Sequence, residues 1–129
     1  MANVQAGAGR SSIAWLLFAL KGRASRQSYW LALLLQICVN GVLIGQLVGG
    51  DDATFGGLAA VVSPIMMIAT VYSNLAVTVK RLHDIGYSGF LALAIFVPLV
   101  NIFFTIWVGV VPGTPGPNVY GEAPDSAPA

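Results

Sequence analysis

A chain of 129 residues is long enough for one domain, yet it is 57% apolar and only 9% charged, against about 25% charged in globular proteins. With a mean hydropathy of +0.80, this excludes an ordinary water-soluble fold and makes a membrane protein the direct reading. The net charge of +1 becomes informative only when the charges are placed along the chain, and no nucleic-acid partner is expected.

Residues 1–10 are expected to be disordered, with a single membrane domain over 11–122. Its first element, SSIAWLLFAL (11–20), is apolar but about half a membrane thick. Arg10 precedes it, and Lys21, Arg23 and Arg26 follow it where a signal peptide would carry a small-residue cleavage site. It reads as a retained helix in the membrane interface, anchored by Trp15 and Phe18.

Three stretches free of charge then reach the ~20 residues that a spanning helix needs. They run over about 29–48, 55–79 and 89–111. The fold class is therefore an all-α membrane protein. Three transmembrane helices follow the interfacial one, and a Pro/Gly-rich tail ends the chain. Pro64 and Pro98 fall inside the second and third spans, where they kink a membrane helix rather than abolish it. Splitting the third span at Pro98 is the main topological alternative, because each piece is too short to cross alone. Cys38, the only cysteine, lies mid-way along the first span and reads as a small buried hydrophobe. After Val111 come five prolines in 18 residues, which prevent a regular helix; residues 123–129 are expected to be a disordered tail.

All six basic residues fall before the first span or between the second and third. With three spans these segments share a side, and the opposite side has no Lys or Arg. The positive-inside bias makes the basic side cytoplasmic. The N-terminus is then cytoplasmic, while the 49–54 loop and the C-terminus are external. A third span that turned back at Pro98–Asn101 would leave the tail cytoplasmic.

Lipid solvates leucine as well as another helix does, so packing needs small residues or polar contacts. Gly41, Gly45 and Gly49 recur every four residues and offer a smooth stripe for helix packing. Gln36, Asn40, Asn74 and Asn101 place amides in hydrocarbon, where an unpaired amide is costly. They read as interhelical polar contacts, with Asn40 and Asn101 at similar depth.

The charges of KRLHDIGYSGF (80–90) occupy a tight turn between antiparallel spans. Gly86 is a left-handed stop and Ser88 a cap for the next helix. Lys80, Arg81 and His83 suit the carbonyl end of the second helix. Asp84 is expected to pair with Arg23 or Arg26 of GRASRQSYW (22–30), leaving the other bases, Lys80 and Arg81 included, to face anionic lipid headgroups. His83 and Asp84 supply two ligands where a metal needs three or four. No nucleophile elbow, phosphate loop or dinucleotide fingerprint is present. No catalytic residue, metal or cofactor is assigned, and the chain is not expected to be an enzyme.

GRASRQSYW, KRLHDIGYSGF and PGTPGPNVYG, in that order, resemble the domain-of-unknown-function 805 family of small bacterial inner-membrane proteins. The family patterns are a GRxxRxxYW-type entry, an RLHDxGxSGW-type turn and a GTxGxNxYG-type tail. The matched positions are Gly22, Arg23, Arg26, Tyr29 and Trp30; Arg81, Leu82, His83, Asp84, Gly86, Ser88 and Gly89; and Gly113, Thr114, Gly116, Asn118, Tyr120 and Gly121. Phe90 stands where the family has Trp. The resemblance implies a bacterial inner membrane and no established activity. The expected function is self-association through helices, or binding of a membrane-protein partner or lipid. The alternative is an oligomeric transporter or pore component lined by the Asn40/Asn101 layer.

Overall fold

The computed structural model describes residues 11–49 and 53–128. The N-terminal segment 1–10, residues 50–52 of the 49–54 loop and Ala129 lie outside the described residues. The chain forms α1 (Ile13–Phe18), α2 (Arg26–Gly49), α3 (Ala53–Asp84), a 3-10 helix (Gly89–Phe96) and α4 (Val100–Val110). Among the described residues there is no β-strand beyond one isolated bridge between Asn118 and Gly121.

Local chemistry sets these boundaries. Ser12 caps α1, its Oγ accepting from Trp15 N at 3.1 Å, which satisfies one of the free N–H groups of a helix start. Helix α3 ends on Gly86 at φ +87°, the left-handed geometry that glycine adopts without steric cost. Ser88 then caps the 3-10 helix, accepting from Phe90 N at 3.4 Å. Helices α2 and α3, of 24 and 32 residues, are ~36 and ~48 Å long at 1.5 Å per residue. Both have the length and apolarity to cross a membrane.

The stretch 89–111 differs from the expected third span. It breaks at Val97–Leu99 into two legs, and Leu99 takes φ +67°. Proline cannot donate to a helical ladder, and it drives the preceding residue toward extended geometry. Each leg is ~16 Å long, from about 2.0 Å per residue in the 3-10 helix and 1.5 Å in α4. That is half of a ~30 Å hydrocarbon core. The second leg returns to the end from which the first set out. Trp30 Nε1, near the start of α2, donates to Gly109 O at 3.1 Å, and Tyr29 OH donates to Thr105 O at 3.3 Å.

This corrects the expectation that the tail leaves on the side opposite the N-terminal basic segment. Asp125 N donates to Arg23 O at 2.9 Å and Ser25 N donates to Asp125 Oδ1 at 2.9 Å. The tail therefore shares an end with the start of α2 and the 80–88 turn. These bonds hold Asp125, within the segment 123–129 expected to be a disordered tail, against the start of α2. Trp107 stands edge-on to Tyr87 at 5.5 Å between ring centroids, at this same end.

The tightest packing also lies here. Tyr29, Ala32, Val77, Leu82, Ala92 and Val108 form a buried cluster. Away from it α2 and α3 expose leucine, isoleucine and valine over most of their lengths, the surface that a bilayer solvates.

A buried ion-pair knot and its strap

The charged residues that cluster in the sequence are folded inward. Arg23, Lys80, Arg81 and Asp84 are all at most 2% exposed. Helix α3 carries Lys80, Arg81 and Asp84 on its last turn, while Arg23 enters from the extended segment between α1 and α2. Arg23 Nε donates to Asp84 Oδ1 at 3.0 Å, and its Nη2 lies 2.9 Å from the same oxygen. The other carboxylate oxygen receives Arg81 Nη1. One acid thus faces two guanidinium groups. Of the two arginines offered by GRASRQSYW, Arg23 is the partner, and Arg26 is exposed.

A knot with two cations and one anion carries an uncompensated charge, which is costly away from water unless hydrogen bonds absorb it. Backbone carbonyls do so. Arg23 Nη1 donates to Gly116 O at 2.7 Å and to Gly121 O at 3.3 Å, and its Nη2 to Thr114 O at 2.7 Å. Arg81 Nε donates to Val108 O at 3.0 Å, Nη1 to Ala24 O at 3.3 Å and Nη2 to Val111 O. The tail is anchored in return, with Thr114 N donating to Asp84 O at 2.7 Å and Asn118 Nδ2 to His83 O at 2.9 Å. The approach is close enough that a Cβ on Gly113 would overlap the Asp84 carboxylate.

Lys80 and Arg81 therefore differ from expectation, since neither faces lipid headgroups. Lys80 Nζ donates to Trp15 O at 3.0 Å and to Ala19 O at the end of α1; Trp15 O also accepts from Ala19 N at 3.1 Å. Lys80 Nζ also lies 5.2 Å from the centre of a Trp15 ring. The cations left exposed at this end are Lys21 and Arg26. His83 stacks on Tyr120 of the tail, centroids 4.0 Å apart and planes 2° from parallel.

The expected layer of facing amides is replaced by local pairing. Asn40 Nδ2 donates to its own helix at Gln36 O, 2.7 Å away. Thr78 Oγ1 donates to Asn74 Oδ1 at 3.3 Å, and Thr105 Oγ1 to Asn101 Oδ1 at 3.0 Å. Each asparagine makes one bond with a partner one turn away on the same helix. The cross-helix bond is Gln36 Nε2 to Ser73 Oγ at 3.0 Å, buried. Such bonds contribute on average about 0.6 kcal/mol in membranes. Gln36→Leu is accordingly expected to move the thermal midpoint in detergent by no more than a few degrees.

Two further expectations change. Cys38 is exposed, on the apolar outer surface of α2 rather than in a core. Gly41, Gly45 and Gly49 have no atom outside their own helix backbone within 4 Å of a notional Cβ, so the stripe packs no helix of this chain. Among the described residues no three His, Cys, Asp or Glu side chains gather as a metal site.

Sequence reasoning did not single out Thr114, Gly116, Gly121, Ser25 and Asp125 as partners of this cluster. A signal was available: the GTxGxNxYG-type pattern fixes glycines in a segment with no membrane to cross.

Two apolar helices of spanning length, closed at one end by a buried ion-pair knot and a carboxy-terminal strap, define an all-helical membrane protein. The chain belongs to the family described as protein of unknown function (DUF805), which matches residues 17–122. It is 32% identical over 117 residues to the inner membrane protein YhaI of Escherichia coli strain K12, covering 85% of this chain and 94% of that one. It is also 30% identical over 122 residues to the inner membrane protein YhaH of the same strain, covering 88% and 98%. The uncharacterized protein YiiR of that strain is 30% identical over 131 residues, covering 82% and 86%. No solved structure matches. The protein is thus a bacterial inner-membrane protein.

Proposed function

We propose that this protein works by association in the membrane, forming a complex with a second copy of itself, and that it is not an enzyme. In this reading α2 and α3 cross the bilayer, the 3-10 helix and α4 dip in from the cytoplasmic side as a re-entrant hairpin, and both termini are cytoplasmic. The basic residues of 21–26 and 80–81 support that orientation through the positive-inside bias.

The observation that carries the reading is the turn of the hairpin. Leu99 is 73% exposed, and its N–H has no hydrogen-bond partner among the described residues. With legs of ~16 Å the turn sits near mid-bilayer. Irregular backbone at that depth is stable only where protein or a water-filled cavity covers it, so a neighbouring chain completes the site. The face of α2 bearing Gly41 and Gly45 is open and reaches the same depth. Counting inward from Trp30, whose indole touches Gly109, ten residues on each helix lead to Asn40 and Leu99.

The test is disulfide crosslinking in native membranes between Leu99→Cys and Gly41→Cys chains, both with Cys38→Ser. A crosslinked dimer that depends on both cysteines is expected. No crosslink, together with a monomer in nanodiscs, overturns the reading.

A further inference from the structure

The second and third motifs contain more than the knot uses. Arg81, Asp84, Thr114 and Gly121 serve the ion pairs. His83, Ser88 and Tyr120 turn instead to a groove of about 520 Å³ between α3 and the 3-10 helix. Its long wall is apolar, formed by Leu75 and Val79 on one side and Leu93 on the other. Its polar groups are at one end, the end that holds the knot. A slot with one apolar and one polar end matches an amphiphile with a single chain inserted.

His83 defines what the polar end recognises. Its Nδ1 is 3.1 Å from Gly22 O; a carbonyl can only accept, so Nδ1 carries the proton in that bond. The neutral ring then leaves Nε2 as an acceptor. Nε2 points at the start of the 3-10 helix, 3.2 Å from a notional Cβ on Gly89, and has no partner among the described residues. The Tyr120 hydroxyl and Ser88 Oγ stand at the same end. Those hydroxyls can donate or accept, so the group that selects a ligand here is the acceptor Nε2, which calls for a headgroup donor.

Charge selects between an ammonium donor and a hydroxyl donor. Lys21, Arg23, Arg26, Lys80 and Arg81 at this end outnumber Asp84, Glu122 and Asp125, five against three, giving an excess of +2. That field repels a cationic donor and attracts a phosphodiester. Lys21, exposed and next in sequence to the groove residue Leu20, adds a cation at this end. We propose that the groove binds an anionic phospholipid with a hydroxylated headgroup, of the phosphatidylglycerol class. An acyl chain lies along Leu75, Val79 and Leu93, and a headgroup hydroxyl donates to His83 Nε2. This site is independent of the association proposed above.

The experiment is native mass spectrometry of detergent-purified full chain, titrated with phosphatidylglycerol, phosphatidic acid or phosphatidylethanolamine of matched acyl chains. Phosphatidylglycerol is expected to bind about fivefold more tightly than either of the others, the factor that one net hydrogen bond supplies. Leu93→Trp fills the groove from its exposed wall and should abolish the preference. Tyr120→Phe keeps the stack on His83 and should weaken it, and a thermal melt of each variant shows that the fold is kept. Equal retention of all three lipids overturns the proposal, as does an unaltered preference in a folded Leu93→Trp chain. Phosphatidic acid binding as well as phosphatidylglycerol, at a pH above its second ionisation where no P–OH donor remains, overturns the role of His83. A dimer that retains no lipid assigns the groove to a second copy and overturns the proposal as well.

Discussion

Asp84→Ala is expected to be the most damaging single substitution, costing about 3–5 kcal/mol, the range for removing one partner of a buried ion pair. Arg23 and Arg81, both without measurable exposure, would face each other with no anion between them. Their carbonyl partners cannot replace it, since each supplies only a partial charge. A thermal unfolding scan in mild detergent should show the midpoint falling by on the order of 10 °C, or no cooperative transition at all. Asp84→Asn preserves the shape and should recover little, because the lost quantity is charge. A midpoint within a few degrees of the wild type for both variants would show that the knot is incidental to stability.

Ending the chain after Val111 should be nearly as severe, although it removes none of the ion pairs. Arg23 would lose the carbonyls of Thr114, Gly116 and Gly121, and Ser25 N would lose Asp125. Hydrogen bonds from charged donors contribute about 1.5–3 kcal/mol each, and they are not additive within one network. A total loss of about 3 kcal/mol or more is expected. Exposure gives a direct readout, since Ala24 is fully buried beside the knot. A cysteine at position 24, with Cys38→Ser, should resist a water-soluble maleimide in the full chain and react in the shortened one. Equal protection in both would mean that the tail merely lies on the surface.

The spans of α2 and α3 were legible because uninterrupted apolarity of that length has few other uses. The pairing of Asp84 with the first basic cluster was legible for a similar reason, scarcity of acids at that end. One feature was legible only as an alternative, and a second was hidden. Hydropathy scores 89–111 as one run because it weighs side chains, whereas the break belongs to the backbone at Pro98 and Leu99. The inward turn of Lys80 and Arg81 was hidden because long cationic side chains normally reach outward from a helix end. Here carbonyls at the ends of α1 and α4 take their hydrogen bonds inside the fold.

The tail misled in an instructive way. Its five prolines do exclude a helix, but order does not require one. A Pro/Gly-rich strand makes few hydrogen bonds of its own, so its carbonyls remain available. Those carbonyls are what a buried guanidinium needs.

The strap also imposes an order of events on biogenesis. Arg23 leaves the ribosome about 5–20 s before the carbonyls of Thr114 to Gly121 exist, given 91 to 98 intervening residues at about 5–20 residues per second. Until Asp84 follows, 61 residues behind it, it is a bare cation at the membrane surface, which is the state in which basic residues orient a nascent chain. Once the tail arrives, its carbonyls take up the guanidinium's remaining hydrogen bonds and seal the same side chain from water. In the cytoplasmic orientation proposed above, the address label that directs insertion is afterwards consumed as the bolt that closes the finished protein.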